Sequence, residues 1–324
     1  MNIYHHKKYR HSTAAAGSGS ALTQHNSVHL KGALLTLAGG ACWGLSGSMG
    51  QFLFQHEGMD VRWLVPIRLG LAGILLLAFC FVRSGAHILD PWRNRSDRRR
   101  LLIYGLAGVS ACQFLYFTTI QLSSAGIGTL LQDLAPAMIL LITCVQAKRR
   151  PKAMEILAVF LALFGVFLLS TGGDLTHMQV PPSALATGVL CAGCVTIYNM
   201  VPGKLMERYS VFLLQGWSFL MGSIVIAIIF QSWSWHYVPT AVGWFGVGFV
   251  VLVGNVMAFP LYLQGIKYIG PGKGSLYGFS EPVTAAVIST AFLGSAFTWT
   301  DAIGFAAIFL MLVLISLAGK KSRQ

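Results

Sequence analysis

Gly128-Thr-Leu-Leu-Gln-Asp-Leu-Ala-Pro136 and Gly274-Ser-Leu-Tyr-Gly-Phe-Ser-Glu-Pro282 lie inside hydrophobic segments and share a glycine with a proline eight positions later. Positions 128 and 274 are 146 residues apart, and the same offset aligns Leu115-Tyr116 with Leu261-Tyr262, Gly126 with Gly272, Glu155 with Asp301 and Ser170 with Ser316. The chain reads as a duplication. Duplicated hydrophobic halves are a common way of building secondary transporters.

Composition fixes the solvent. Of 324 residues 55% are hydrophobic and 10% charged, with a mean hydropathy of +0.66; soluble domains carry about 25% charged residues. Crossing a hydrocarbon core takes about 20 apolar residues. Dividing the chain at its polar and Pro/Gly-rich breaks gives ten spans: Leu30 to Phe54, Arg62 to Val82, Leu101 to Gln121, Ala125 to Gln146, Ala153 to Thr171, Ser183 to Gly203, Ser210 to Gln231, Ala241 to Gly265, Pro271 to Leu293, and Asp301 to Gly319. Links as short as Leu122 to Ser124 make their flanking spans antiparallel neighbours. The expected fold is an all-α integral membrane bundle without a soluble domain.

Basic residues near span ends stay cytoplasmic. Every Lys and Arg except Arg62 and Arg68 falls on one side of this topology, which predicts that both termini are cytoplasmic. Five spans per half is an odd number, so the halves, 30–171 and 183–319, are expected to be inverted relative to each other. Two inverted halves can rock about a central site and expose it to each side in turn. The pI of 9.7 then reflects topology and contact with anionic lipid. Nucleic acid would require the basic residues on one folded face, and none is expected as a partner.

Residues 1–29 are polar, carry five histidines and lack the apolar run of a signal peptide. They are expected to be a disordered cytoplasmic tail, with no metal bound. All six cysteines fall within spans, and Cys191-x-x-Cys194 reads as small-residue packing on an apolar helix. No cofactor is implied.

Ala41-Cys42-Trp43-Gly44-Leu45-Ser46 in the first span and Ser280-Glu281-Pro282-Val283-Thr284-Ala285-Ala286 in the ninth, together with the repeated Gly-x7-Pro segments, resemble the drug/metabolite transporter superfamily. The likeness is to its EamA branch and covers about residues 30 to 319. It implies ten spans in two repeats, a central cavity between them, and a bacterial inner-membrane location. Many members carry a Gly-Glu pair after the fourth and ninth spans; this chain has Gln146-Ala147 and Gly294-Ser295 there.

Charges inside a membrane are costly and mark solute or ion pathways. Three stand well inside spans: Arg68, Asp133 and Glu281. At about 1.5 Å per residue, Glu281 lies roughly 15 Å from the inner end of its span. By the same rise Asp133 and Arg68 lie roughly 12 and 9 Å from the outer ends of theirs. Arg68 and Asp133 are matched in depth, and two readings stay open: a structural ion pair, or an outer gate or contact to a zwitterionic or anionic solute. Glu281, with no basic residue of its own repeat at that depth, is a candidate to contact a solute amine or a coupling proton. Pro136 and Pro282 remove an N–H and obstruct the carbonyls of Gln132 and Gly278, so both spans should bend there as hinges.

Polar and aromatic residues gather at this level. Tyr277 precedes Glu281 by four residues; Asn255, Phe259 and Tyr262 follow a helical face; Gln113 and Tyr116 form a similar pair. Tyr198 and Asn199 sit within the sixth span. No metalloprotease, nucleophile-elbow or Walker motif competes, which argues against an enzyme and against ATP-driven transport. The expected function is secondary transport, in the export direction, of small organic metabolites such as amino acids, amines or carboxylates, with proton coupling through Glu281 open. A sensor or scaffold that kept the fold, or an uncoupled facilitator, is the alternative. Gly243, Gly246 and Gly248 leave room for a homodimer.

Overall fold

The structure, a computed structural model, describes residues 16–174, 178–235 and 237–321 and contains no strand among them. The first half runs α1 (Ala16–His56), α2 (Val61–Ser84), the short α3 (Asp90–Arg93) and α4 (Arg95–Leu102). A π-helical stretch (Ile103–Ser110) then leads into α5 (Ala111–Leu122), followed by α6 (Ala125–Gln132), α7 (Ala135–Gln146) and α8 (Ala153–Thr171). The second half runs α9 (Pro182–Met200), α10 (Gly203–Arg208), α11 (Val211–Phe230) and α12 (Ala241–Phe249). A second π-helical stretch (Val250–Met257) leads into α13 (Ala258–Ile269), α14 (Pro271–Gly278), α15 (Ser280–Phe292) and α16 (Trp299–Lys321).

Eight helical stretches among the described residues are long and apolar enough to cross a membrane. The expected first and ninth spans fall on α1 and on the α14–α15 pair, which pack in the same bundle but are not among the eight. The helix α1 starts at Ala16 rather than Leu30, so the expected tail is helical over 16–29. Residues 1–15, with His5, His6 and His11, lie outside the described residues.

Contacts between the halves come in equivalent pairs. Among the most extensive are α2 with α11 and α8 with α16, each joining matching spans of the two repeats. Likewise α1 packs on α13 and α15, while its counterpart α9 packs on α5 and on α6 and α7. This is the contact map of a pseudo-two-fold. The two π-helical stretches and the two helix breaks ahead of Pro136 and Pro282 also recur at equivalent positions.

Lipid offers no hydrophobic drive between helices, so small residues that admit close backbone approach set the packing. A Cβ on Gly165 would lie 3.0 Å from the carbonyl oxygen of Gly304, and one on Gly304 would lie 3.1 Å from that of Gly165. A Cβ on Gly39 of α1 would lie 2.7 Å from the Tyr262 backbone nitrogen and 2.9 Å from the Ala258 carbonyl on α13. Gly243 and Gly246 are buried against the chain's own Met59 and Leu53, whereas Gly248 has nothing within 4 Å of such a Cβ. Cys191 is buried with its Sγ 3.7 Å from that of Cys112, a packing contact between α9 and α5.

Polar clasps hold the two ends. Gln51, 1% exposed on α1, accepts from the Ala125 backbone N–H at the start of α6 (2.8 Å) and from the Ser289 hydroxyl on α15 (2.8 Å), and donates to the Ser295 hydroxyl (2.9 Å). On α4 the buried Asp97 accepts from Arg208 and from the Tyr209 hydroxyl, each at 3.0 Å. Asp60 caps α2 through the Arg62 N–H, binds the Arg62 side chain and accepts from Gln121. Burial of Asp60 favours its neutral form, but the hydrogen bonds from the Arg62 side chain and backbone and from Gln121, with the Arg62 charge, outweigh it and hold the carboxyl below its usual 3.8.

Two outcomes are expected. Gly39→Leu should destabilise the purified protein by about 1–3 kcal/mol through overpacking against backbone that cannot yield, while Gly248→Ala, in open space within a helix, should not lower the thermal midpoint; equal losses would contradict this packing. Because the Asp60 carboxyl is lowered in the folded state, its stabilisation is complete above 3.8 and lost as pH falls below it. Asp60→Ala should therefore cost about 1 kcal/mol at neutral pH and progressively less in acid. A cost that does not vary with pH would contradict the assignment.

Candidate functional site

The helix breaks make the site. The segment expected to be a single fourth span parts between Gln132 and Ala135, leaving Asp133 and Leu134 at the turn, and the ninth parts at Phe279. Proline, with no N–H to donate and a ring that clashes one turn back, cannot continue the helix through these points. Backbone so freed is tolerated at membrane depth where it faces protein or a cavity, and both breaks border one. Gln132, Asp133, Pro136, Gly278 and Glu281 all line a cavity of about 940 Å³.

Both halves build this cavity. The first supplies Trp43, Arg68, Tyr104, Cys112, Gln113, Tyr116 and Phe117; the second supplies Tyr198, Asn199, Asn255, Phe259 and Tyr262. Tyr104 and Val109 come from the first π-helical stretch and Gly254 and Asn255 from the second. A π-helix widens the turn and re-aims side chains, a distortion found frequently at functional sites. Trp43 sets its indole 5.0 Å from the tilted Tyr262 ring and 6.1 Å edge-on from Phe259, forming an aromatic wall.

The cavity reaches Arg149, Lys152 and Met206, all exposed, at the end of the bundle rich in basic residues. There Arg149 pairs with Glu155 at 2.7 Å. A separate cavity of about 630 Å³ opens among Gln55, Leu122 to Ser124, Pro181 and Gly294 to Thr298. Ser289 and Ser295, partners of Gln51, line this second cavity. The clasp thus lies at the end that the central cavity does not reach.

Arg68 is 2% exposed. Its guanidinium donates to the Gln113 side-chain oxygen and, at 3.4 Å, to that of Asn255, and it lies 3.7 Å over the Phe117 ring. Among the described residues no ion pair joins Arg68 to Asp133 or to Glu281. The structural-pair reading is therefore not realised; Arg68 is held by two neutral amides and an aromatic face. Asp133 and Glu281 are partly accessible and both line the cavity.

Of the residues singled out from sequence, Arg68, Gln113, Tyr116, Asp133, Asn255, Tyr262 and Glu281 all line the cavity. Tyr277 does not. The four-residue spacing that put it beside Glu281 presumes a continuous helix, and the break at Phe279 removes that register. Pro282 is buried behind Glu281, whereas Pro136 is on the wall. Sequence reasoning missed Trp43, Cys112, Gln132 and Gln215 as lining residues. Gln132 stands next to Asp133 in the repeated segment and was legible there; Gln215, on an otherwise apolar span, was a weaker signal.

The sequence model of the EamA-like transporter family matches residues 30–171 and 182–317. The inner membrane transporter YicL of Salmonella typhimurium is 31% identical over 291 residues, covering 90% of this chain and 97% of that protein. The threonine/homoserine exporter RhtA of the same species is 25% identical over 259 residues, covering 76% and 78%. A solved crystal structure superposes with a TM-score of 0.58 at 16% identity, covering 93% of this chain and 99% of that one, a likeness of fold alone. With two matched copies in a helical bundle built around a shared cavity, the chain belongs to the EamA-like transporter family and is a multi-pass membrane transporter.

Proposed function

We propose that this transporter is a secondary carrier that exports small organic metabolites such as amino acids, amines or carboxylates, by alternating access between two inverted repeats. One observation carries the reading: a cavity with walls from both halves, reached from the basic end, is lined within the bundle by Arg68, Asp133 and Glu281, and no ion pair joins these three. Intramembrane charges are kept where they handle solute or ions. By the charge bias of the loops the basic end is cytoplasmic, so the cavity faces the cytoplasm, where an exported solute loads.

Proline-broken helices in both halves provide equivalent places to bend, and the Gln51 clasp closes the far end. Opening that end requires breaking three hydrogen bonds on one side chain, a modest barrier of about 0.5–1.5 kcal/mol each. Glu281 is the residue proposed to take a solute amine or a coupling proton. The 25% identity to an exporter of threonine and homoserine supports an amino acid among the solutes.

In proteoliposomes preloaded with a panel of labelled amino acids, amines and carboxylates, at least one solute should leave faster than from protein-free vesicles. Glu281→Gln should slow that flux by about tenfold or more, the scale of one lost charge-assisted contact. Flux insensitive to pH and membrane potential would identify an uncoupled facilitator. Normal flux in Glu281→Gln at every pH would remove Glu281 from the mechanism, and no flux of any solute would overturn the transport reading.

A further inference from the structure

Buried polar groups are almost always hydrogen-bonded, and each exception calls for an explanation. Among the described residues, four of the side chains with an unpartnered buried polar atom line the central cavity: Arg68 at Nε, Asn255 at Nδ2, the Tyr116 hydroxyl, and Asp133 at Oδ2. Arg68, Tyr116 and Asn255 are 2%, 7% and 4% exposed. The unpartnered atoms sort by chemistry. Arg68 Nε and Asn255 Nδ2 can only donate and the Tyr116 hydroxyl can donate, whereas the carboxylate oxygen of Asp133 accepts.

The charges sort the same way. A guanidinium stays protonated in proteins, and removing one from water is costly unless it is paired. Arg68 has no carboxylate within 4.0 Å; the Gln113 and Asn255 oxygens orient it without neutralising it. Asp133 and Glu281, the acids that could have paired with it, line the same cavity without doing so. The Tyr116 hydroxyl stands between Arg68 and Glu281, beside the Glu281 carboxyl.

We infer that Arg68 and Asn255 form a carboxylate subsite and that Asp133 with Glu281 forms a facing ammonium subsite, so that the cavity selects zwitterionic amino acids. This rests on the transporter reading above and deepens it by naming the solute class. A solute carboxylate supplies the acceptors that the donors lack, and forked contact with a guanidinium is favourable both in energy and in orientation. Its ammonium supplies donors to the acids. An amine or a carboxylic acid alone completes half of the site and leaves the other half unpaired, which is how a polar site rejects an analogue that lacks one group.

The test measures thermal stabilisation of the purified full-length protein by each standard L-amino acid, its decarboxylated amine and its deaminated acid, since a ligand of the folded state raises stability by mass action. At least one amino acid should stabilise, with its amine and its acid weaker by about tenfold or more. Asn255→Asp places a carboxylate against Arg68 from within the protein. It should raise the midpoint of the ligand-free protein and weaken amino-acid binding by about tenfold; Arg68→Lys, which keeps the charge and loses the fork, should also weaken it. Binding left intact in Asn255→Asp, or amines or acids binding as well as the amino acid, overturns the inference. Vesicle flux of amines or acids without amino-acid binding would overturn the zwitterion subsite and leave the transporter reading standing.

Discussion

In hydrocarbon an unpaired backbone amide has no water to turn to, and that constraint arranges everything else in this protein. It makes every described element helical and forces helix ends toward the interfaces. It also restricts where a helix can break. The turns ahead of Pro136 and Pro282 are tolerable because they border a cavity and not lipid. The same restriction brings Asp133 and Glu281, which stand at those turns, to the cavity wall. Helix break and charge are therefore one feature of the sequence, repeated once in each half.

Close helix packing is the second condition. Glycine pairs such as Gly165 with Gly304 let the halves touch through backbone atoms, so each half is built against its counterpart and neither buries a complete core alone. Shared walls follow from shared packing. The π-helical stretches add the local distortion that turns Tyr104 and Asn255 inward, and Gln51 ties three segments at the end opposite the basic loops.

Much of this was legible in the residues. The repeat, the intramembrane charges and the proline positions are local signals, and seven of the eight candidate contact residues reached the cavity wall. What escaped was register. Tyr277 and Glu281 share a helical face only if the helix is continuous, and the break at Phe279 cancels that spacing. The separation of Arg68 from Asp133 also lay beyond depth matching, since depth along the membrane normal fixes one coordinate and pairing needs three. The helical start at Ala16 escaped because composition reports mean polarity and not the propagation of an existing helix. Trp43, in a quoted motif, gave no hint that it would wall the cavity with Tyr262.

The central claim is that one cavity between the halves opens to each side in turn. Its most direct test is sided labelling of a single cysteine at Leu140, on the cavity wall, in a variant with the six native cysteines replaced, using a membrane-impermeant maleimide on vesicles of each orientation. Labelling should occur from the side of the basic loops, and Gln51→Ala, by releasing the clasp, should add labelling from the opposite side. Reactivity confined to one side in both proteins, or first seen from the side of the Gln51 clasp, would contradict the account.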